Sequence, residues 1–113
     1  MSRTLNLLES LPDATNGELF EPLLRREGLL VERIVSRGQS TPEGEWYNQG
    51  WDEWVLILCG NAEIQIEGDE EPAPLVPGDS MLLPAGCRHR VVSTASDCET
   101  VWLAIHYGKL PKP

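Results

Sequence analysis

Basic residues are scarce in this chain: nine Lys and Arg stand against eighteen Asp and Glu, for a formal net charge of -9. A surface of that sign does not suit the phosphates of nucleic acid or an anionic membrane, so neither is an expected partner. The charge itself is sufficiently explained by solubility. Cysteine is also sparse. Cys59, Cys87 and Cys98 are odd in number and no two stand at a C-x-x-C spacing, which leaves no basis for a zinc ribbon, a redox dithiol or a disulfide framework. Reduced thiols are expected, with Cys87 the one close to a candidate site. No apolar stretch is long enough to span a membrane, and MSRTLNLLES has no apolar core of a signal peptide, so a cytoplasmic location is expected. Also missing are a G-x-S-x-G elbow, a phosphate-binding glycine loop, a dinucleotide fingerprint and any helical period sustained over three turns.

What is present is a succession of short apolar runs cut by turn residues. The 113 residues suffice for one domain with its own core. Residues 1–19 read as an N-terminal extension, irregular or with a short helical turn over Leu5 to Leu11. Residues 20–108 read as the folded unit and 109–113 as a loose tail. Strands are expected over Phe20–Leu24, Leu29–Arg37, Glu53–Leu58, Ala62–Ile66, Ser80–Leu83, Arg88–Thr94 and Thr100–Tyr107, with Leu75 and Val76 leading into a tight turn. The clearest alternation is in Ala62, Ile64 and Ile66 against Glu63, Gln65 and Glu67, a half-buried strand of an antiparallel hairpin. About eight strands in so short a chain point to an all-β jelly roll or closed barrel.

Two segments resemble the paired motifs of the cupin superfamily. In the second motif, G-x5-P-x-G-x2-H-x3-N, Gly78, Pro84, Gly86 and His89 fall in register, and Ser93 replaces the final Asn. Proline ends a ladder, glycine permits the next bend, and His89 opens the following strand. The first motif is G-x5-H-x-H-x3,4-E-x6-G. Glu53 and Gly60 fit its second half, Tyr47 and Gln49 take the histidine positions, and Gly44 is the nearest leading glycine. The runs RIVSRGQ, EWYNQGWDEWVL and RHRV are similar to those of small single-domain bacterial cupins. The resemblance covers roughly Val31 to Tyr107. It implies a cupin-type jelly-roll barrel of two antiparallel sheets, and a homodimer.

In a typical cupin three His and one Glu hold a divalent metal inside the barrel. Carried over by position, the metal set is Gln49, Glu53 and His89, with Tyr47 and His106 as further candidates. Such a set suits zinc, iron or manganese and leaves an open coordination position. The same side chains could instead satisfy one another as a metal-free hydrogen-bonded cluster, and both readings stand open here. Residues 47, 49 and 53 share parity, so a strand through them would aim all three at one face. Val101, Leu103 and Ile105 form the more aliphatic face of the last strand; if that face is the core, His106 points away from it. Glu53 and Tyr47 are the acid/base candidates. Arg33, Trp46 and Trp51 are expected around a ligand pocket, Arg33 because it interrupts an apolar strand. Arg88 and Arg90 are further candidates for an anionic substrate, and Trp54 and Trp102 are expected simply to pack. The expected function is a cupin binding a divalent metal and a small organic ligand, the alternative a metal-free binding or interaction scaffold.

Overall fold

The computed structural model describes residues 4–111. Eight strands follow one another: β1 Leu19–Arg26, β2 Leu29–Ser36, β3 Trp51–Cys59, β4 Ala62–Ile66, β5 Ala73–Leu75, β6 Ser80–Leu83, β7 His89–Thr94 and β8 Thr100–Gly108. They form two antiparallel sheets, one of order β1-β2-β8-β3-β6 and one of order β5-β4-β7. No helix occurs among the described residues, and the expected turn near Leu5 to Leu11 is a non-helical bend closed by a Glu9 N–H to Asn6 carbonyl bond of 3.2 Å. No helix here is long and apolar enough to cross a membrane.

The local chemistry explains the turns. Gly28 takes a φ of 71° in the two-residue link between β1 and β2, where Arg26 pairs with Leu29. Pro22 cannot donate to a ladder and lies on β1, an edge strand, beside a register shift between Pro22 and Leu24. Gly60 closes β3 at a φ of 82°, and a Cβ there would stand 2.6 Å from the Glu99 carbonyl oxygen and 2.6 Å from Thr100 Cα. Only glycine fits where the chain passes so close beneath the start of β8.

The core lies between the sheets. Ile34 of β2, Val55 and Ile57 of β3, and Trp102 and Ala104 of β8 face Ala62 and Ile64 of β4, with Leu75 and Leu83 closing the ends. Ile57 has no exposed surface, so truncating it to alanine would cost about 3 kcal/mol.

The opposite face of β2 and β8 is covered as well. Val35 and Val101 are neighbours across the two strands, and both are fully buried. The N-terminal segment lies over this face: Arg33 donates to the carbonyls of Leu7 and Glu9 at 3.1 and 3.3 Å, and Gln39 donates to that of Ala14 at 2.7 Å. With both faces buried, side-chain alternation in β8 no longer reveals which face lines the barrel. The expectation that His106 points away from the core is corrected here. Trp102, Ala104 and His106 face inward, while Leu103 and Ile105 are half-buried on the other side.

Candidate functional site

Between the sheets lies a cavity of about 110 Å³. Its floor is apolar, built from Ile34, Val55, Ile64, Leu83, Val91 and Trp102. Its polar lining comes from Glu18 just before β1, Glu32 on β2, Glu53 on β3, His89 on β7 and His106 on β8, with Tyr47 and Gln49 from the loop between β2 and β3. Phe20 and Tyr47, both about half exposed, stand at the mouth.

The loop holds its register without being a strand. Thr41 N–H donates to the Val91 carbonyl at 2.8 Å, and the Thr41 hydroxyl accepts from Val91 N–H at 2.9 Å. Tyr47 forms an isolated bridge with His89, with N–H to carbonyl distances of 2.7 and 3.1 Å. Their rings stack with centroids 5.6 Å apart. The Gln49 carbonyl accepts from Gly86 N–H at 2.8 Å. No single strand runs through residues 47, 49 and 53, since β3 begins at Trp51, two residues before the expected start at Glu53. Backbone bonds to the β6–β7 segment bring Tyr47 and Gln49 to the cavity instead.

Four of the polar groups are nearly inaccessible: Glu32, Glu53 and His106 are each 8% exposed and His89 is 4% exposed. Gln49 Nε2 donates to Glu53 Oε1 at 2.8 Å. Trp51 Nε1 donates to His106 Nδ1 at 2.9 Å. Because an indole nitrogen can only donate, Nδ1 is the unprotonated nitrogen of His106. Nε2 then carries the proton and donates it to Glu32 Oε1 at 2.8 Å, with Glu53 Oε2 3.8 Å away. The same reasoning applies to His89, whose Nδ1 stands 3.0 Å from the Cys87 carbonyl oxygen. A carbonyl only accepts, so His89 Nδ1 bears a proton. Glu18 accepts a short hydrogen bond from the Ser36 hydroxyl, which in turn accepts from Trp102 Nε1 at 3.2 Å.

Crowding of like charge shows in the titration of these groups. Burial raises the Glu18 pKa above the ordinary carboxylate value; the Ser36 bond opposes this, while Glu53 and Glu32 add to it. Burial and the charges of Glu18, Glu53 and Glu45 hold the Tyr47 phenol above its usual pKa. Tyr47 therefore presents a hydroxyl near neutral pH, not a phenolate ligand. Burial disfavours a charged imidazole at His106, but the bond to Glu32 and the charges of Glu53 and Glu32 outweigh it and raise its pKa. The indole proton and a second imidazole proton cannot share Nδ1, so protonating His106 requires Trp51 to move away.

Gln49, Glu53 and His89 do line one cavity, with Tyr47 and His106 beside them. Of that set, Glu53 and His89 are the charged or imidazole members, and Gln49 and His106 are already engaged in hydrogen bonds. Among the described residues no three His, Cys, Asp or Glu side chains stand together to share an ion. Both His106 nitrogens are committed, and the Gln49 amide nitrogen is aimed at the carboxylate that would have to ligate. In this arrangement neither Gln49 Nε2 nor the two His106 nitrogens present a free lone pair to a cation, which leaves Glu53 and His89 as the members of the set able to ligate.

None of the three expected pocket residues lines the cavity itself. Arg33 points from the other face of β2 and grips Glu21 with two bonds of 2.7 and 3.1 Å. Its strand neighbour Glu32, of opposite parity, is the one that enters the site. Trp46 lies under the Arg88 guanidinium, 5.8 Å from its ring centre, and Arg88 pairs with Glu67 at 3.4 Å. Arg90 reaches the Thr41 carbonyl at 3.5 Å and does not line the cavity. Trp51 holds His106 and lines an adjoining recess. The three cysteines are free thiols, and Cys87 contributes only its carbonyl to the contact with His89. Glu18 and Glu32 were not expected from sequence. The parity of Glu32 with Ile34 in β2 was the available signal, whereas Glu18 sits in a loop with none.

The fold recurs in known structures. A protein from Ralstonia eutropha JMP134, provisionally named a mannose-6-phosphate isomerase, is 46% identical, with 94% of this chain and 98% of that one covered and a TM-score of 0.90. A protein from Thermus thermophilus is 22% identical over 99% and 100% of the two chains, with a TM-score of 0.76. A cupin superfamily protein from Desulfitobacterium hafniense DCB-2 is 24% identical over 95% and 93%, with a TM-score of 0.74. These last two show the shared fold alone. No curated protein matches the chain at a significant level. The family model described as the cupin domain matches residues 33–106, from β2 through the inward-facing His106, and the chain belongs to the cupin family.

Proposed function

We propose that this cupin binds a small organic molecule in the cavity between its sheets, directly through side chains. The observation that carries this reading is the convergence of Glu32, Gln49, Glu53, His89 and His106 from separate elements on one cavity of about 110 Å³ over an apolar floor. Concave sites of that make-up, apolar with a few convergent polar groups, are the usual form of small-molecule sites. The volume suits a ligand of a few heavy atoms at full burial, with any larger part emerging past Phe20 and Tyr47. If chemistry follows binding, Glu53 and Tyr47 are the groups placed to take and give a proton.

The name of the Ralstonia relative raises sugar-phosphate isomerisation. A phosphate needs cations, and among the described residues no Lys or Arg lines this cavity. The surroundings favour a different ligand over a phosphosugar. A metal-dependent reading would rest on Glu53 and His89, with the Gln49 amide nitrogen and both His106 nitrogens engaged elsewhere.

Two measurements test the proposal. Chemical-shift mapping of the full chain against a library of small polar molecules should give perturbations centred on Gln49, Glu53, His89 and Trp102. An Ile34→Phe variant, which fills the cavity, should lose them; shifts that map elsewhere, or survive the filling, refute the site. Metal analysis of purified protein beside a His89→Ala variant addresses direct binding. Stoichiometric metal lost in the variant would overturn the metal-free reading; no metal in either, with Tm unmoved by a chelator, supports it.

A further inference from the structure

We infer that the cavity selects a small organic cation, of the ammonium or amidinium class, as its ligand. The inference rests on the proposed binding site and names what that site would accept.

Glu18, Glu32 and Glu53 bring six carboxyl oxygens to the cavity, and three of these receive a side-chain donor, from Ser36, His106 and Gln49 respectively. Among the described residues no hydrogen bond reaches the other three: Glu18 Oε1, Glu32 Oε2 and Glu53 Oε2. The nearest donor to Glu53 Oε2 is His106 Nε2, already bonded to Glu32 and 3.8 Å away. His89 is 4% exposed, its Nδ1 proton is engaged by the Cys87 carbonyl, and no hydrogen bond reaches its Nε2 among the described residues. His106 offers the cavity no spare proton, because Trp51 and Glu32 take both of its nitrogens. Apart from the Tyr47 hydroxyl and the second Gln49 amide proton, the lining therefore offers carboxyl acceptors, and a ligand that brings donors suits it.

Three carboxyl groups share this small space, and the arginines on or beside the surrounding strands are engaged away from it: Arg33 with Glu21, Arg37 with Glu99, Arg88 with Glu67 and Arg90 with the Thr41 carbonyl. Burying acidic groups without a cation is unfavourable, and a positively charged ligand supplies the missing partner. An anion would meet repulsion and find almost no donors. Phe20, Tyr47 and Trp102 present aromatic surface to the cavity, and ring faces attract cations. With about 110 Å³ available, the buried cationic group is compact.

The test uses isosteric probes on the unmodified full chain. Methylguanidinium and ethylammonium should shift the resonances of Glu53 and His89 and bind at least tenfold more tightly than neutral methylurea and ethylene glycol; acetate and inorganic phosphate should not bind. Glu32→Gln and Glu53→Gln should each weaken methylguanidinium at least tenfold, with a native-like amide spectrum confirming that the variants fold. Neutral or anionic probes binding in the cavity as tightly as the cations would overturn the ligand class while leaving the binding site in place. Zinc or manganese displacing methylguanidinium at equimolar concentration would overturn it in favour of a metal. No probe of any class perturbing the cavity would overturn both this inference and the binding reading beneath it.

Discussion

Trp51 donates its indole N–H to Nδ1 of His106 over 2.9 Å, and this bond decides which nitrogen of the imidazole carries the proton. The consequence runs across the site, because the proton on Nε2 then points to Glu32. Replacing the indole should release the constraint. In a Trp51→Phe variant, Nδ1 is free to protonate and the His106 pKa should rise further, since Glu32 and Glu53 still favour the imidazolium. Nitrogen NMR is the direct check: the native protein should show a bare Nδ1 and a protonated Nε2 at neutral pH, and the variant a doubly protonated ring persisting to higher pH. The variant should also lose about 1 kcal/mol from the lost hydrogen bond. A raised histidine pKa adds stability that is complete below the unfolded value near 6.5 and is lost as pH rises through the folded value, so the variant's deficit should widen toward alkaline pH.

Glu18 gives a prediction with the same sign on an acid. Its folded pKa lies above the ordinary value of 4.5, chiefly because burial disfavours the charge. Native stability should therefore rise as pH falls through the folded pKa toward 4.5 and decline above it. Glu18→Gln removes the buried charge and keeps an acceptor for Ser36. Its Tm should exceed the native value by a few degrees at alkaline pH, and the difference should vanish once Glu18 is protonated in both the folded and unfolded states. A gap that is constant with pH would mean that Glu18 is not titrating in the folded protein.

Arg33 should matter for stability and not for ligand. Its side chain is almost fully buried, holds Glu21 by two bonds and ties down the Leu7 and Glu9 carbonyls. Arg33→Ala leaves those acceptors without a partner and should cost about 2 kcal/mol in chemical denaturation. Arg33→Lys should recover little, because a single ammonium cannot reproduce the two-pronged grip. Binding of any cavity ligand should be unchanged in whatever fraction folds; a selective loss of affinity would return Arg33 to the site.

Glycine substitutions should separate two costs. At Gly68, with φ at 97°, a Cβ meets nothing within 4 Å, so Gly68→Ala carries only the backbone penalty, about 1–2 kcal/mol. At Gly60 the same φ penalty is joined by contacts of 2.5 to 2.6 Å with Thr100 and the Glu99 carbonyl. Gly60→Ala should lower Tm far more than Gly68→Ala and displace β8 from β3. Equal melting temperatures would show that the β3–β4 turn relaxes without cost.

Legibility in the sequence varied with the kind of signal. Gly78, Pro84, Gly86 and His89 were readable because turn chemistry is local: a bend needs a residue that can adopt it. The alternation of Ala62, Ile64 and Ile66 was readable because only one face of β4 is deeply buried. Glu32 and Arg33 show where this fails. Both interrupt an apolar strand and both are buried, yet only the parity of β2 against the cavity decides which one enters the site.

By itself, then, the amino-acid order determined the approximate limits of seven of the eight strands, missing the three-residue β5, together with the antiparallel all-β architecture and the placing of Glu53 and His89 within the cupin motifs. These follow from hydrophobic period and turn preference, which act over a few residues. Tertiary structure alone decided that His106 faces inward, that Trp51 and Glu32 commit both its nitrogens, and that Glu18, Glu32 and Glu53 share one cavity. Trp51 and His106 are 55 positions apart, and Glu32 and His106 are 74 apart. The direction of a hydrogen bond depends on which atoms the folded sheets bring together, and no local pattern carries that information.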